Sequence, residues 1–203
     1  MIVVGLTGGI ASGKTTVAEM LRERGAVIID TDEIAREVTA PGSPALAEIA
    51  CALGSEMITE QGTLDRKRLG FLVFGDPGAR RRLEQITHPR IRAEMRRRLQ
   101  ELRRRPQPPA VVVVVIPLLY EAGAQDEVDA VAAVSAPPEE QVRRLMARDR
   151  LPRAQAQARV QAQLPAAEKA ARADFVVDAS GTVEETARQA AKLWAWVTSG
   201  AGR

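Results

Sequence analysis

The sequence has few aromatic residues, one cysteine and little surplus charge, and each shortage narrows what the chain can do. Phe, Trp and Tyr make up 3% of the 203 residues, too few for a surface that reads nucleic acid by stacking bases on rings. The single cysteine, Cys51, excludes a disulfide within the chain, as suits a reducing compartment. Lys and Arg exceed Asp and Glu by 29 to 26, a net charge of +3, too small an excess to mark a nucleic-acid-binding protein. The longest apolar run, Ala110 to Ile116, falls well short of the roughly 20 residues that span a bilayer. Met1-Ile2-Val3-Val4-Gly5 lacks the basic start of a signal peptide. These shortages predict a cytoplasmic protein with no membrane or nucleic-acid partner.

What is present is a regular alternation. Hydrophobic residues are 45% of the chain, enough for a buried core in one domain over residues 1–203. Ile2 to Thr7 reads as a buried strand, Thr15 to Arg24 as a helix stopped by Gly25, and Ala26 to Ile29 as a second strand. Glu33 to Val38 continues as a helix broken at Pro41-Gly42. Leu83 to Arg105 is helical and basic, with Pro89 in the first turn of its helix and Ile91, Met95, Leu99 and Leu102 at helical spacing. Pro106 to Pro109 is a turn. Ala110 to Ile116, apolar on both faces, has the pattern of a strand in the middle of a parallel sheet. Ala130 to Ser135 and Phe175 to Asp178 read as further strands, and Thr182-Val183-Glu184-Glu185 as a capping box opening the last helix. Strands alternating with helices predict a three-layer α/β fold around a parallel five-stranded sheet.

The chemistry starts in the first turn of that fold. Gly8-Gly9-Ile10-Ala11-Ser12-Gly13-Lys14-Thr15 fits G-x-x-x-x-G-K-[ST], between a strand and a helix. Glycines let successive backbone N–H groups turn toward phosphate oxygens, and the following helix adds its positive end. Lys14 would reach the β- and γ-phosphates of a nucleoside triphosphate, and the Thr15 hydroxyl would ligate Mg²⁺. Thr16 completes the loop's contacts. No N-K-x-D guanine motif is present, and the strand from Ala110 ends Val115-Ile116-Pro117 without an acid. A small-molecule kinase using ATP fits this pattern, since substrate phosphates there carry much of the metal coordination.

Other residues widen the site. Asp30 and Asp32 follow the second strand, at the carboxyl edge where α/β folds bind ligands. A carboxylate there can take the proton of an acceptor hydroxyl, and the same acids would serve equally as caps of the helix at Glu33. Spacing does not choose between the two. Arg143, Arg144, Arg148, Arg150, Arg153 and Arg159 lie on two helices broken at Leu151-Pro152. They suit either a mobile flap that brings Arg to phosphate or a solvated face. His88, the sole histidine, fits a structural or substrate-binding place better than acid–base work. Cys51, among Ala50, Ala52 and Leu53, reads as core.

Taken in order along nearly the whole chain, these segments resemble the dephospho-coenzyme A kinase family. The resemblance is carried by Gly5-Leu6-Thr7-Gly8-Gly9-Ile10 with Ser12-Gly13-Lys14, by Asp30-Thr31-Asp32-Glu33-Ile34-Ala35-Arg36 followed by Pro41-Gly42, and by Leu83-Glu84-Gln85-Ile86-Thr87-His88-Pro89 with Ile91-Arg92. It continues in Pro117-Leu118-Leu119-Tyr120-Glu121, in Arg148-Asp149, and in Arg159, Gln163, Lys169 and Ala173-Asp174-Phe175. It implies transfer of the ATP γ-phosphate to the ribose 3′-hydroxyl of dephospho-coenzyme A, with a substrate region near 39–105 and a lid near 144–169. The alternative is another nucleoside- or nucleotide-type kinase of the same fold. Carried over, Asp32 is the base, Lys14 and Arg148 stabilise the transferring phosphoryl, and Gly8 to Thr16 with Arg159 bind ATP. Asp32, Arg36, His88, Arg92, Leu118 and Glu121 bind the acceptor, and Thr15 holds Mg²⁺. A monomer is expected, although the sequence itself does not give the oligomeric state. Three positions depart from the family's usual residues: Ala11 for Gly, Val115 for Asp and Ala179 for Asn. A left-handed backbone at Ala11 would cost about 1 kcal/mol.

Overall fold

The computed structural model describes residues 1–200. In chain order the strands are β1 (Ile2–Gly8), β2 (Val27–Asp30), β3 (Val111–Val115), β4 (Ala130–Ser135) and β5 (Phe175–Asp178). The helices are α1 (Lys14–Arg22), α2 (Thr31–Val38), α3 (Pro44–Leu53), α4 (Arg66–Gly75), α5 (Pro77–Arg103), α6 (Pro138–Asp149), α7 (Arg153–Gln161), α8 (Ala166–Ala171) and α9 (Val183–Thr198). They divide into two compact units, one made of Met1–Asp30 with the chain from Arg105 onward, the other of Thr31–Arg104.

The first unit is the sheet and its covering helices. All strands are parallel, in the order β2-β3-β1-β4-β5. The middle place belongs to β1, with β3 interior beside it. Five successive valines make β3 a strand, since branched side chains restrict χ1 and pack well on a pleated surface. All five are buried, as a strand covered on both faces requires. Ile2, Val4 and Leu6 of β1 meet Val17 and Leu21 of α1 and Leu193 and Val197 of α9 in one cluster. The opposite face is covered by the segment after β3: a β-carbon at Gly5 would come within 2.8 Å of Leu119 Cδ1. The capping box opening α9 is present, with Thr182 Oγ1 accepting from Glu185 N and Glu185 Oε2 accepting from Thr182 N.

The second unit is helical. Leu46, Ile49, Leu53, Met57, Leu64, Leu69 and Ala79 form its core, with Leu83 and Ile86 of α5 packed against them. Ser43 caps α3 by accepting from Leu46 N at 3.2 Å, and Asp65 caps α4 by accepting from Arg68 N at 2.9 Å.

Two expectations are corrected here. Pro89 does not open a helix but lies inside α5, which runs for 27 residues. The start is set upstream by Asp76, whose Oδ1 accepts from Gly78 N at 2.6 Å, with Pro77 in the first turn. Pro89 forfeits one helical hydrogen bond, but apolar packing on both sides of it, by Leu83 and Ile86 before and Met95 and Leu99 after, carries the helix through. Cys51 is exposed, not core. The buried side of α3 is Ala45, Leu46, Ile49 and Leu53, and position 51 falls off that stripe.

Candidate active site

The carboxyl end of β1 delivers the chain into a tight loop from Gly8 to Gly13. Three of its residues have left-handed backbone: Gly8 at φ 151°, Ala11 at φ 57° and Gly13 at φ 102°. Gly8 is required as glycine, because a β-carbon there would collide with the Val134 carbonyl oxygen. Gly13 is the N-cap of α1 and has no side chain to cap it, so the positive end of the helix is presented to the loop. Ser12 N donates to Gly9 O at 3.1 Å and closes the turn. Lys14 Nζ donates to Gly8 O at 3.0 Å and Gly9 O at 2.8 Å, which lays the ammonium along the loop's own carbonyls. Ile10 is half-buried, Thr15 and Thr16 are exposed in the first turn of α1, and Ser12 is buried with its Oγ lacking a hydrogen-bond partner.

Side chains from elsewhere in the first unit converge on this loop. Arg144 of α6 donates to Ala179 O at 2.7 Å and Ser12 O at 3.4 Å, while its Nε is held by Glu140 at 2.7 Å. Hydrogen bonds from Arg143 and Arg144 hold the Glu140 carboxyl down at about 2. Sequence reasoning counted Arg144 within the arginine set without singling it out. Its place over Gly13 depends on the return of the chain after β5, which no local pattern reveals. The Gln163 side chain accepts from Ile10 N at 2.7 Å.

The arginines expected at the lid are drawn together by Asp149. Arg148 Nε pairs with Asp149 Oδ1 at 2.7 Å, and Arg159 Nη1 with Asp149 Oδ2 at 3.3 Å. The hydrogen bond from Arg148, helped by the charge of Arg159, lowers the Asp149 pKa, and the same bond raises that of Arg148. Glu121 is engaged by the buried Lys169 at 2.8 Å, and Leu118 is half-buried in the turn after β3.

In the second unit Asp32 and Arg36 sit one turn apart on the exposed side of α2. Arg66 at the start of α4 donates to Thr39 Oγ1 at 3.0 Å, and burial, then the charge of Arg36, lowers its pKa. His88 and Arg92 share a groove of about 530 Å³ on α5 with Arg81, Gln85 and Arg96. Burial pushes the His88 pKa below its usual value, opposed by Glu84 and reinforced by Arg92 and Arg80. Its imidazole is therefore a neutral hydrogen-bonding group among cations at pH 7.

No cluster of three His, Cys, Asp or Glu side chains among the described residues could hold a metal by itself. The donor available beside the loop is the Thr15 hydroxyl, which fits a Mg²⁺ ion whose other ligands are phosphate oxygens and water. No helix among the described residues is long and apolar enough to cross a membrane.

A parallel sheet that feeds its middle strand into a phosphate loop, with Lys14 at the start of the next helix, defines a P-loop nucleotide-binding fold. The family model described as dephospho-CoA kinase matches residues 2–185, and the chain belongs to that family. It is 53% identical over 203 residues to the dephospho-CoA kinase of Anaeromyxobacter dehalogenans, covering 100% of this chain and 95% of that one. The crystal structure of a Thermus thermophilus protein is similar with a TM-score of 0.80 at 38% identity, covering 96% of each chain. Dephospho-CoA kinase from Campylobacter jejuni is similar with a TM-score of 0.70 at 29% identity, covering 98% of each.

Proposed function

We infer that this protein transfers the γ-phosphate of ATP to the ribose 3′-hydroxyl of dephospho-coenzyme A, forming coenzyme A and ADP. The observation that carries the reading is the loop after β1. Its backbone is left-handed at Gly8, Ala11 and Gly13, α1 is uncapped at Gly13, and Lys14 lies along the loop carbonyls. Family membership over nearly the whole chain supplies the acceptor.

In this reading residues Gly8 to Thr16 bind the phosphates. Lys14 moves from the loop carbonyls to the transferring phosphoryl, where negative charge spreads over the equatorial oxygens. Arg144 ties the loop to the chain after β5 by donating to Ser12 O and Ala179 O. The Thr15 hydroxyl would hold Mg²⁺, which would supply positive charge against the phosphates. Asp32 orients the acceptor hydroxyl and takes its proton as the new P–O bond forms and the bond from the γ-phosphorus to the bridging oxygen breaks, releasing ADP. Residues of the Thr31–Arg104 unit, among them Arg36, His88 and Arg92, hold the acceptor. Arg148 and Arg159 belong to a lid over 144–169 that excludes water when substrates are bound. The protein acts as a monomer in the cytoplasm, on a small molecule and without nucleic acid.

The test is ADP release from Mg-ATP with and without dephospho-coenzyme A, beside a panel of nucleosides and nucleotides. Release that requires dephospho-coenzyme A, with coenzyme A as product, is expected. Faster release with a nucleoside monophosphate would replace this acceptor with another. Asp32→Asn should keep ATP binding and lose turnover by about 100-fold or more; normal turnover in that variant would remove Asp32 from the mechanism.

A further inference from the structure

A chain of polar contacts ties the segment after α7 to the phosphate loop. Gln163 Oε1 accepts from Ile10 N at 2.7 Å, across 153 residues of sequence. The neighbouring Leu164 donates its N–H to Glu121 Oε1 at 3.1 Å, and the same oxygen receives Lys169 Nζ at 2.8 Å. Lys169 is wholly buried and also donates to Pro117 O at 2.8 Å. That carbonyl accepts from Thr7 Oγ1 at 3.3 Å as well, on the strand that feeds the loop. A buried ammonium is tolerated only when it is paired and hydrogen-bonded. The Lys169–Glu121 pair therefore fixes the place of Leu164, and with it that of Gln163.

The loop end of this chain is strained. Ala11, next to Ile10, holds φ 57°, a conformation that a β-carbon disfavours. Something must hold it there: Ile10 and Ala11 pack against Val142, Leu145 and Ala156, and the hydrogen bond from Ile10 N to Gln163 adds a directional polar contact beside the strained residue.

We propose that Gln163 is a positioning residue of the phosphate loop. It holds the Ile10 amide so that Ala11 stays left-handed, and the buried Lys169–Glu121 pair is the brace that keeps Gln163 in place. Gln163 works through the loop backbone, not by touching the acceptor. The kinetic side of this role rests on the loop binding ATP, so the first readout is taken on nucleotide-free protein.

In Gln163→Leu, amide hydrogen exchange at Ile10 should accelerate about tenfold, with Val4 in the sheet unchanged. The kcat/KM for ATP should fall about tenfold while the KM for dephospho-coenzyme A stays the same. Adding Ala11→Gly should restore most of that loss, because glycine takes the left-handed conformation without strain. Lys169→Met should accelerate Ile10 exchange in the same way, and if it does not fold the Gln163 variants still decide. Unchanged Ile10 exchange in Gln163→Leu would overturn the proposal. So would an equal loss with and without Ala11→Gly, which would make Gln163 merely structural. A wild-type protein that failed to use ATP would defeat the kinase reading, while Ile10 exchange would still decide the role of Gln163.

Discussion

The two units of this protein present positive charge in different ways. In the sheet unit the phosphate site is built from backbone: left-handed turns, an uncapped helix end and one lysine laid along the loop. Its arginines are largely engaged with acids, Arg143 and Arg144 with Glu140, Arg148 and Arg159 with Asp149, Arg153 with Glu139. In the helical unit the cationic groove is built from side chains on one face of α5, with a neutral His88 among Arg81, Arg92 and Arg96. A site made by backbone depends on a few glycines at fixed spacing. A site made by side chains depends on where a long helix begins and how it turns.

The largest effect should come from the backbone-built site. Lys14→Ala should lower kcat by about 1000-fold in the coupled assay, since the loop donors alone cannot follow charge onto the transferring phosphoryl. A fully active variant would break the account of the loop. The side-chain site should respond differently. His88→Ala and Arg92→Ala should each raise the KM for dephospho-coenzyme A about tenfold and leave that for ATP unchanged. Equal changes in both KM values would erase the distinction between the units.

Smaller effects sharpen the comparison. Ala11→Val should destabilise the protein by about 1 kcal/mol, or about 3 °C in a thermal melt, because a branched side chain fits a left-handed backbone worse than a methyl does. The smallest expected effect is a pH dependence. His88 has a folded pKa below its unfolded value of about 6.5, so the unfolded chain binds the proton first. Stability should therefore fall as pH drops below about 6.5, and less so in His88→Gln. Melting curves across that range that superimpose for the two proteins would remove His88 as the source.

Much of the sheet unit was legible in the sequence. The all-valine β3, the alternation around it and the Thr182 capping box each rest on contacts within a few residues. So does the loop, whose glycine spacing announced its turns. The start of α5 was missed because Asp76-Pro77 was overlooked and Pro89 was given the role that Pro77 has. Cys51 was misread from its apolar neighbours, although the spacing of Ala45, Leu46, Ile49 and Leu53 already put it off the buried stripe. The contacts of Arg144 with Ala179, of Glu121 with Lys169 and of Gln163 with Ile10 join residues distant in sequence. They depend on how the chain returns, which no local propensity encodes.

The helical unit leaves the sheet after β2 and comes back at β3, and these strands are neighbours with Asp30 opposite Val115. Any two adjacent parallel strands need a crossover, and the sheet's hydrogen bonding sets no upper limit on its length. A whole compact unit, residues 31–104, is thus accommodated within one crossover of the parallel sheet without interrupting the pairing of β2 with β3.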